Sequence, residues 1–226
     1  MKNLAFAADY DGTLAINGRI SRDLIDALIQ LRDSGRKLIL VTGRQKDDLG
    51  LNFPQYSIFD RVVFENGALL YRPESSDLGE LLLLTEKAPE PLIQLLKQRH
   101  VEPLSIGYCI LATTTHHEST VVQCIKELGF NYSIILNKGS VMILPQGVNK
   151  GSGLLTALKE LGISPSQTVG IGDGENDTDL LRVCGRSYAV VDATPGLKSI
   201  AQHVTRGGAH EGPLEVIHYL LEEDTN

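Results

Sequence analysis

Leu4-Ala5-Phe6-Ala7-Ala8-Asp9-Tyr10-Asp11-Gly12-Thr13-Leu14 joins a short apolar run to an acidic turn that contains a glycine. An unbroken apolar run of this length predicts a strand buried on both faces, as in a parallel sheet. In such sheets ligands bind beyond the carboxyl ends of the strands, and Asp9 and Asp11 stand at such an end. Two residues apart on an extended chain, their carboxylates project the same way. Aimed at one point they repel and call for a cation, while Gly12 lets the backbone turn sharply behind them. A solvated acidic turn is the plainer alternative.

Working outward, Ser21 reads as a helix N-cap, followed by Leu24, Ile25, Leu28, Ile29 and Leu31 at helical spacing and closed by Gly35. Lys37 to Thr42 and Asp60 to Phe64 read as further buried strands, with a turn at Asn66-Gly67 and a short strand at Ala68 to Tyr71. The alternation resumes late: helix from Lys150 to Leu161, strand from Gln167 to Ile171, helix from Asn176 to Val183, strand from Ser187 to Val191, helix from Pro195 to Ala201, a short strand at His203-Val204 and a terminal helix from Pro213 to Glu222. Strands alternating with helices predict an α/β fold, a Rossmann-like parallel sheet covered on both faces.

Residues 73–148 read differently. A polar break at Pro73 to Asp77 precedes apolar Leu81 to Leu84, a helix from Pro89 to Arg99, a strand from Ile106 to Thr113, a helix from Ser119 to Leu128, and a hairpin of Tyr132 to Leu136 and Val141 to Leu144 around Lys138-Gly139. Adjacent strands predict a small α+β module inserted into a core formed by residues 1–72 and 149–226.

Three more strand ends and helix starts carry polar groups. Val41-Thr42-Gly43-Arg44 offers a hydroxyl and an amide at a helix start, an anion seat or simply a strand end. Lys150 opens a helix, where the dipole disfavours a cation, so a phosphate within its reach would explain it; an exposed lysine is the alternative. Gly172-Asp173-Gly174-Glu175-Asn176-Asp177 again places carboxylates at a strand end and the next helix start, hard oxygen ligands of the kind magnesium takes. Its glycines lack the GxGxxG spacing, and an aspartate among them would repel a pyrophosphate.

The chain has 226 residues, a net charge of −7, 42% hydrophobic residues and no basic run able to line a nucleic-acid groove. Cys109, Cys124 and Cys184 are odd in number and far apart, which argues against a disulfide framework or zinc site. No apolar stretch reaches the ~20 residues of a membrane span, and the N-terminal one is too short for a signal peptide. A cytoplasmic protein is expected.

Taken together, Asp9-x-Asp11-Gly12-Thr13, then Thr42-Gly43-Arg44, then Lys150, then Gly172-Asp173-x-x-x-Asp177 resembles the four-motif signature of the haloacid dehalogenase-like phosphatase superfamily. The Glu65-Asn66-Gly67-Ala68 turn and the Gly-Asp-Gly-Glu-Asn-Asp form resemble its Cof-like, sucrose-phosphate-phosphatase-like branch, whose α/β cap lies between the second and third motifs. The resemblance implies a phosphatase that hydrolyses a small phosphorylated metabolite, a sugar phosphate or similar, through an aspartyl-phosphate intermediate. It implies Asp9 as nucleophile and Asp11 as general acid/base. Thr42, Gly43, Lys150 and Asn176 would bind phosphate, and magnesium would be held by Asp9, Asp11 (through its carbonyl) and Asp173. Asp177 would support the metal's waters or orient Lys150. Arg44 would meet the cap or the leaving group, or make a plain ion pair. Tyr10 stands where an aliphatic residue or phenylalanine is more usual. His116 and His117, in the cap, would face the substrate or the surface. A phosphomutase with the same machinery, a non-catalytic regulatory module and, remotely, a dinucleotide oxidoreductase are the alternatives.

Overall fold

Ala5–Ala8 forms β1, and every side chain in it is buried. A computed structural model describes residues 3–73 and 79–223. Phe6 is the one large side chain of β1, and Ala5, Ala7 and Ala8 are small, so neighbouring elements can pack close to the strand on both faces. β1 pairs in parallel with β2 (Lys37–Val41) on one side and with β10 (Thr168–Gly172) on the other.

From β1 the chain runs through α1 (Arg22–Asp33), capped by the Ser21 hydroxyl, into β2. It continues through α2 (Lys46–Asn52) to β3 (Arg61–Phe64) and β4 (Leu69–Arg72). β5 (Glu80–Leu83) follows. After the insertion come α5 (Lys150–Leu161), β10, α6 (Thr178–Val183), β11 (Arg186–Ala189), α7 (Pro195–Ile200), β12 (His203–Val204) and α8 (Glu211–Glu222). The strand order is β12-β11-β10-β1-β2-β3-β4-β5, parallel from β12 to β3, with β4 antiparallel to both its neighbours. The chain leaves β1 toward β2 and returns on the opposite side at β10. The carboxyl end of β1 is therefore a topological switch point, where the loops diverge and leave a crevice.

The insertion holds α3 (Glu90–Gln98), β6 (Ser105–Ile106), β7 (Leu111–Thr114), α4 (Glu118–Leu128), β8 (Tyr132–Asn137) and β9 (Ser140–Pro145). Its sheet, β6-β7-β9-β8, is antiparallel throughout. One face buries Leu111, Val141 and Ile143 against Leu92, Leu96, Val121 and Cys124 of α3 and α4. The period of two turns Ala112 and Met142, which pair across β7 and β9, to the other face, where both line cavities above the core.

Three elements differ from expectation. Leu81 to Leu84, expected inside the insertion, contributes β5, which pairs with β4 (Tyr71 with Leu81, Leu69 with Leu83) as the outer strand of the large sheet. A hairpin extension of a sheet edge and a strand of a separate module have the same apolar pattern, so periodicity cannot separate them. The single strand expected from Ile106 to Thr113 is two, β6 and β7. Between them the amides of Tyr108, Cys109 and Ile110 turn to bind Glu65. The helix expected from Asn176 begins at Thr178, after a single 3-10 turn at Glu175–Asp177. The polar break at Pro73 to Asp77 lies largely outside the described residues.

Candidate active site

The β1–β10 register places Asp9 at the switch point, its N–H donating to the Ile171 carbonyl at 3.1 Å. Its Oδ2 accepts the Thr13 hydroxyl at 3.0 Å, and its Oδ1 accepts the Lys150 ammonium. Gly12, at φ +83°, makes the turn that brings Thr13 back beneath Asp9. Asp173, at the end of β10, lies 3.4 Å from the same hydroxyl. One carboxylate oxygen from each of Asp9, Asp173 and Asp177 lies within 4.8 Å of the others, and all three residues are buried.

Lys150 is only 1% exposed and bridges Asp9 and Asp177, the latter at 2.5 Å. It is the first residue of α5, whose N-terminus is held by a reciprocal capping box of Asn149 and Ser152. Burial works against its charge, but Asp177 and Asp9 outweigh burial and hold the ammonium protonated well above the ordinary lysine range. Asp177 is the most heavily bonded of the three carboxylates: its Oδ1 takes Lys150, and its Oδ2 accepts the N–H groups of Asp173 and Gly174, both at 2.9 Å. Burial first, and then Asp177, push the Asp9 carboxyl well above the usual carboxylate range; Lys150 pulls the other way. Burial likewise raises Asp173, against the pull of Lys138.

Asp11 stands apart from this cluster. The strand ends at Ala8, so the chain no longer alternates there, and the Asp11 carboxylate is 49% exposed. Arg44 donates to both its oxygens, Nε at 2.7 Å and Nη2 at 2.8 Å, and from Nη1 to Asp48 at 2.8 Å. The guanidinium lies 5.2 Å from the Tyr10 ring centroid, and the Tyr10 hydroxyl donates to the Gly18 carbonyl at 2.8 Å. Tyr10 is thus the platform beneath Arg44, a role its place between two aspartates did not advertise; burial pushes its phenol up to about 12. Thr42 is buried, and its hydroxyl accepts the N–H of Arg44 at 3.1 Å.

Asp9, Asp11, Gly43, Arg44, Asp173 and Asn176 line one cavity of about 190 Å³, joined from the insertion by Asn137 and Met142. Arg44 and Met142 also line a neighbouring cavity of about 360 Å³, so the Asp11–Arg44 pair stands between the two. His116 and His117 lie elsewhere. His117 engages the backbone of Glu102, and His116 lines a separate hollow along α4.

Four site residues escaped the sequence reading. Asn66 accepts from Asn176 at 3.0 Å and donates to the Met142 sulfur, tying the core to the insertion. Its neighbour Glu65 clamps the loop between β6 and β7. Asn137 and Lys138 reach in from the β8–β9 hairpin, and the Lys138 ammonium bonds Asp173. In the sequence the Glu65-Asn66-Gly67 turn reads only as a family marker, and Lys138-Gly139 only as a hairpin tip. What each side chain touches depends on how two sheets face one another.

The sequence and the fold both have known counterparts. A family model described as haloacid dehalogenase-like hydrolase matches residues 6–134 and 106–217. Phosphoglycolate phosphatase 2 of Saccharolobus solfataricus is 31% identical over 221 residues, 95% of this chain and 91% of that protein. The phosphoglycolate phosphatase of Archaeoglobus fulgidus is 30% identical over 223 residues, 97% of each chain. A solved Thermoplasma acidophilum structure superposes with a TM-score of 0.80 at 15% identity, covering 98% of this chain and 99% of that one. A phosphatase of the haloalkanoate superfamily from Bacteroides thetaiotaomicron does so with 0.79 at 21% identity, covering 97% and 95%. At these identities the structural likenesses speak for the fold alone.

Proposed function

Because the chain belongs to the haloacid dehalogenase-like hydrolases, in their Cof-like branch, and is a phosphatase, we propose that it hydrolyses a small phosphorylated metabolite, 2-phosphoglycolate foremost, with magnesium and through an aspartyl phosphate on Asp9. The observation that carries this is Lys150, fully buried between Asp9 and Asp177 at the sheet's switch point. A buried lysine held charged against a carboxylate nucleophile is suited to receive the charge of a phosphoryl group. The choice of substrate rests on relatives at 31% and 30% identity that carry the name phosphoglycolate phosphatase, and on a cavity of about 190 Å³, which suits a leaving group of few carbons.

The donor set fits a hard cation. It is all oxygen, buried and within 4.8 Å, and the Lys138 ammonium already sits against it as a positive charge. Asp9 and Asp173 would hold magnesium with the Asp11 carbonyl, while Asp177, which takes Lys150 and the N–H groups of Asp173 and Gly174, would hold Lys150 in place. When bound, magnesium supplies positive charge that offsets the repulsion between a phosphate dianion and a carboxylate.

The chain's own groups do the rest. Asp9 attacks phosphorus, and Thr13 and Lys150 hold its carboxylate in place. Lys150 and the Thr42-Gly43 segment receive the phosphoryl oxygens. Asp11 must leave Arg44 and take up a proton from solvent, gives that proton to the departing oxygen, and as the carboxylate so formed takes one from the water that cleaves the acyl phosphate. Arg44, so released, faces the leaving group. The three cysteines are free and buried, which supports a cytoplasmic setting; among the described residues no helix is long and apolar enough to cross a membrane.

The test is phosphate release from 2-phosphoglycolate and a panel of sugar phosphates, with magnesium and after chelation. Magnesium-dependent release, abolished in Asp9→Asn, is expected. Full activity after exhaustive chelation, or in Asp9→Asn, overturns the mechanism.

A further inference from the structure

Lys138 belongs to the antiparallel insertion, yet its ammonium lies on the Asp173 carboxylate of the catalytic sheet. It begins the two-residue turn between β8 and β9, with φ +46° at Lys138 and +85° at Gly139. Such turns favour Asn, Asp or Gly at this place, so a lysine here forgoes the residue the turn prefers. Its neighbour Asn137 lines the cavity over Asp9, and the Asn137 Oδ1 is buried without a hydrogen-bond partner among the described residues. The hairpin tip therefore brings a cation and an unsatisfied amide oxygen to the site, and no catalytic step described above uses either.

Resting on the phosphatase reading, we propose that Lys138 recognises a second negative charge, a carboxylate, on the leaving group of the substrate. The cavity is lined by Asp9, Asp11 and Asp173 and repels an anionic leaving group unless a cation meets it. Lys150 is fully buried between Asp9 and Asp177 and is committed to the phosphoryl group. Arg44, even when Asp11 lets go of it, stays paired with Asp48 at 2.8 Å and packed over the Tyr10 ring, so its charge is already matched. Lys138 is different: its side chain is 49% exposed, sits on a hairpin tip, and its one ion pair among the described residues is with Asp173. That partner is also a residue fitted to hold the divalent cation. Magnesium and an ammonium on one carboxylate repel; Lys150 is held on Asp9 by its second partner Asp177, but Lys138 has no second anion among the described residues, so with magnesium bound it is displaced while the hairpin keeps it near the same cavity. The three carboxylates of Asp9, Asp173 and Asp177 are then matched by Lys150 and the divalent metal, and the anion left for Lys138 is the substrate's own.

The experiment compares kcat/KM for 2-phosphoglycolate with that for ethyl phosphate, which keeps the two-carbon frame and replaces the carboxylate by a methyl group. The wild type is expected to prefer 2-phosphoglycolate. In Lys138→Met the preference should fall by ~10–100-fold, the range of a charge-assisted hydrogen bond, mostly through KM. Lys138→Arg should retain most of it. Magnesium affinity measured calorimetrically without substrate should rise several-fold in Lys138→Met, because the competing ammonium is gone. A preference unchanged in Lys138→Met, or an unchanged magnesium affinity, overturns the proposal. A wild type that hydrolyses both esters equally overturns it too and leaves the phosphatase standing; one that hydrolyses neither with magnesium overturns both.

Discussion

The carboxylate of Glu65, in the turn that ends β3, accepts the backbone N–H of Cys109 in the insertion at 2.9 Å. The amides of Tyr108 and Ile110 bind the same carboxylate at 2.8 and 3.2 Å. Gly107 makes the approach possible, since a Cβ there would meet the Glu65 oxygens at 2.7 Å. One buried side chain thus fixes where the second sheet stands over the first.

Glu65→Ala leaves three amides without their acceptor, and a buried donor left unpaired costs about 1–3 kcal/mol. The variant should lose ~3 kcal/mol or more of unfolding free energy in urea titration. Glu65→Gln keeps one oxygen acceptor and should lose less. A Glu65→Ala protein within 1 kcal/mol of wild type would mean that the loop finds other acceptors.

Gly67 couples the same turn to catalysis. It adopts φ +105°, and a Cβ on it would lie 2.0 Å from the Asn149 carbonyl oxygen, at the cap of α5. Gly67→Ala must push that helix end, and Lys150 with it, away from Asp9. Turnover should fall by ~10²-fold, the cost of a misplacement of about 1 Å, while circular dichroism stays that of a folded α/β protein. Unchanged turnover would show that α5 yields without moving Lys150.

Asp9 carries a stability penalty in the metal-free protein. Its carboxyl is raised by burial and by Asp177, so the folded state binds its proton more tightly than the unfolded chain does. The sign follows: this contribution favours folding below the unfolded carboxylate range and is lost as pH rises through the folded value. Metal-free Asp9→Asn, although inactive, should therefore melt a few degrees above wild type at pH 7.5. The gap should close toward pH 4. A variant that melts below wild type at neutral pH would mean that the Lys150 pairing outweighs burial.

The cysteines should be inert. Burial, and secondarily Glu65, push Cys109 up to about 11, and burial pushes Cys184 up to about 12. At pH 8 the thiolate fraction is then on the order of 10⁻³ and 10⁻⁴, and the thiolate is the reactive form. Iodoacetamide should label neither in the native protein, and should label all three cysteines after denaturation. Rapid native labelling of Cys184 would place it in a more open site.

Local order was legible in the chain, because strands and helices write their periods into apolar spacing and their ends into caps and glycines. Leu4 to Ala8 reads as a buried strand on its own, Ser21 and Gly35 bracket α1, and Lys150 to Leu161 is a helix to the residue. The Asp9, Thr42, Lys150 and Asp173 segments could be read as one crevice because consecutive strand ends of a parallel sheet face the same way. Tertiary structure alone decided which sheet owns β5, since an edge hairpin and a separate module share one apolar pattern. It also decided that Asp11 pairs with Arg44 rather than joining Asp9, and that Tyr10 carries that arginine. Glu65 and Lys138 are the clearest cases. Among the described residues their side chains bond only at long range: Glu65 meets residues 43 to 45 positions away, and Lys138 meets one 35 away. Contacts of that range exist only once two sheets are set face to face, and no local spacing records them.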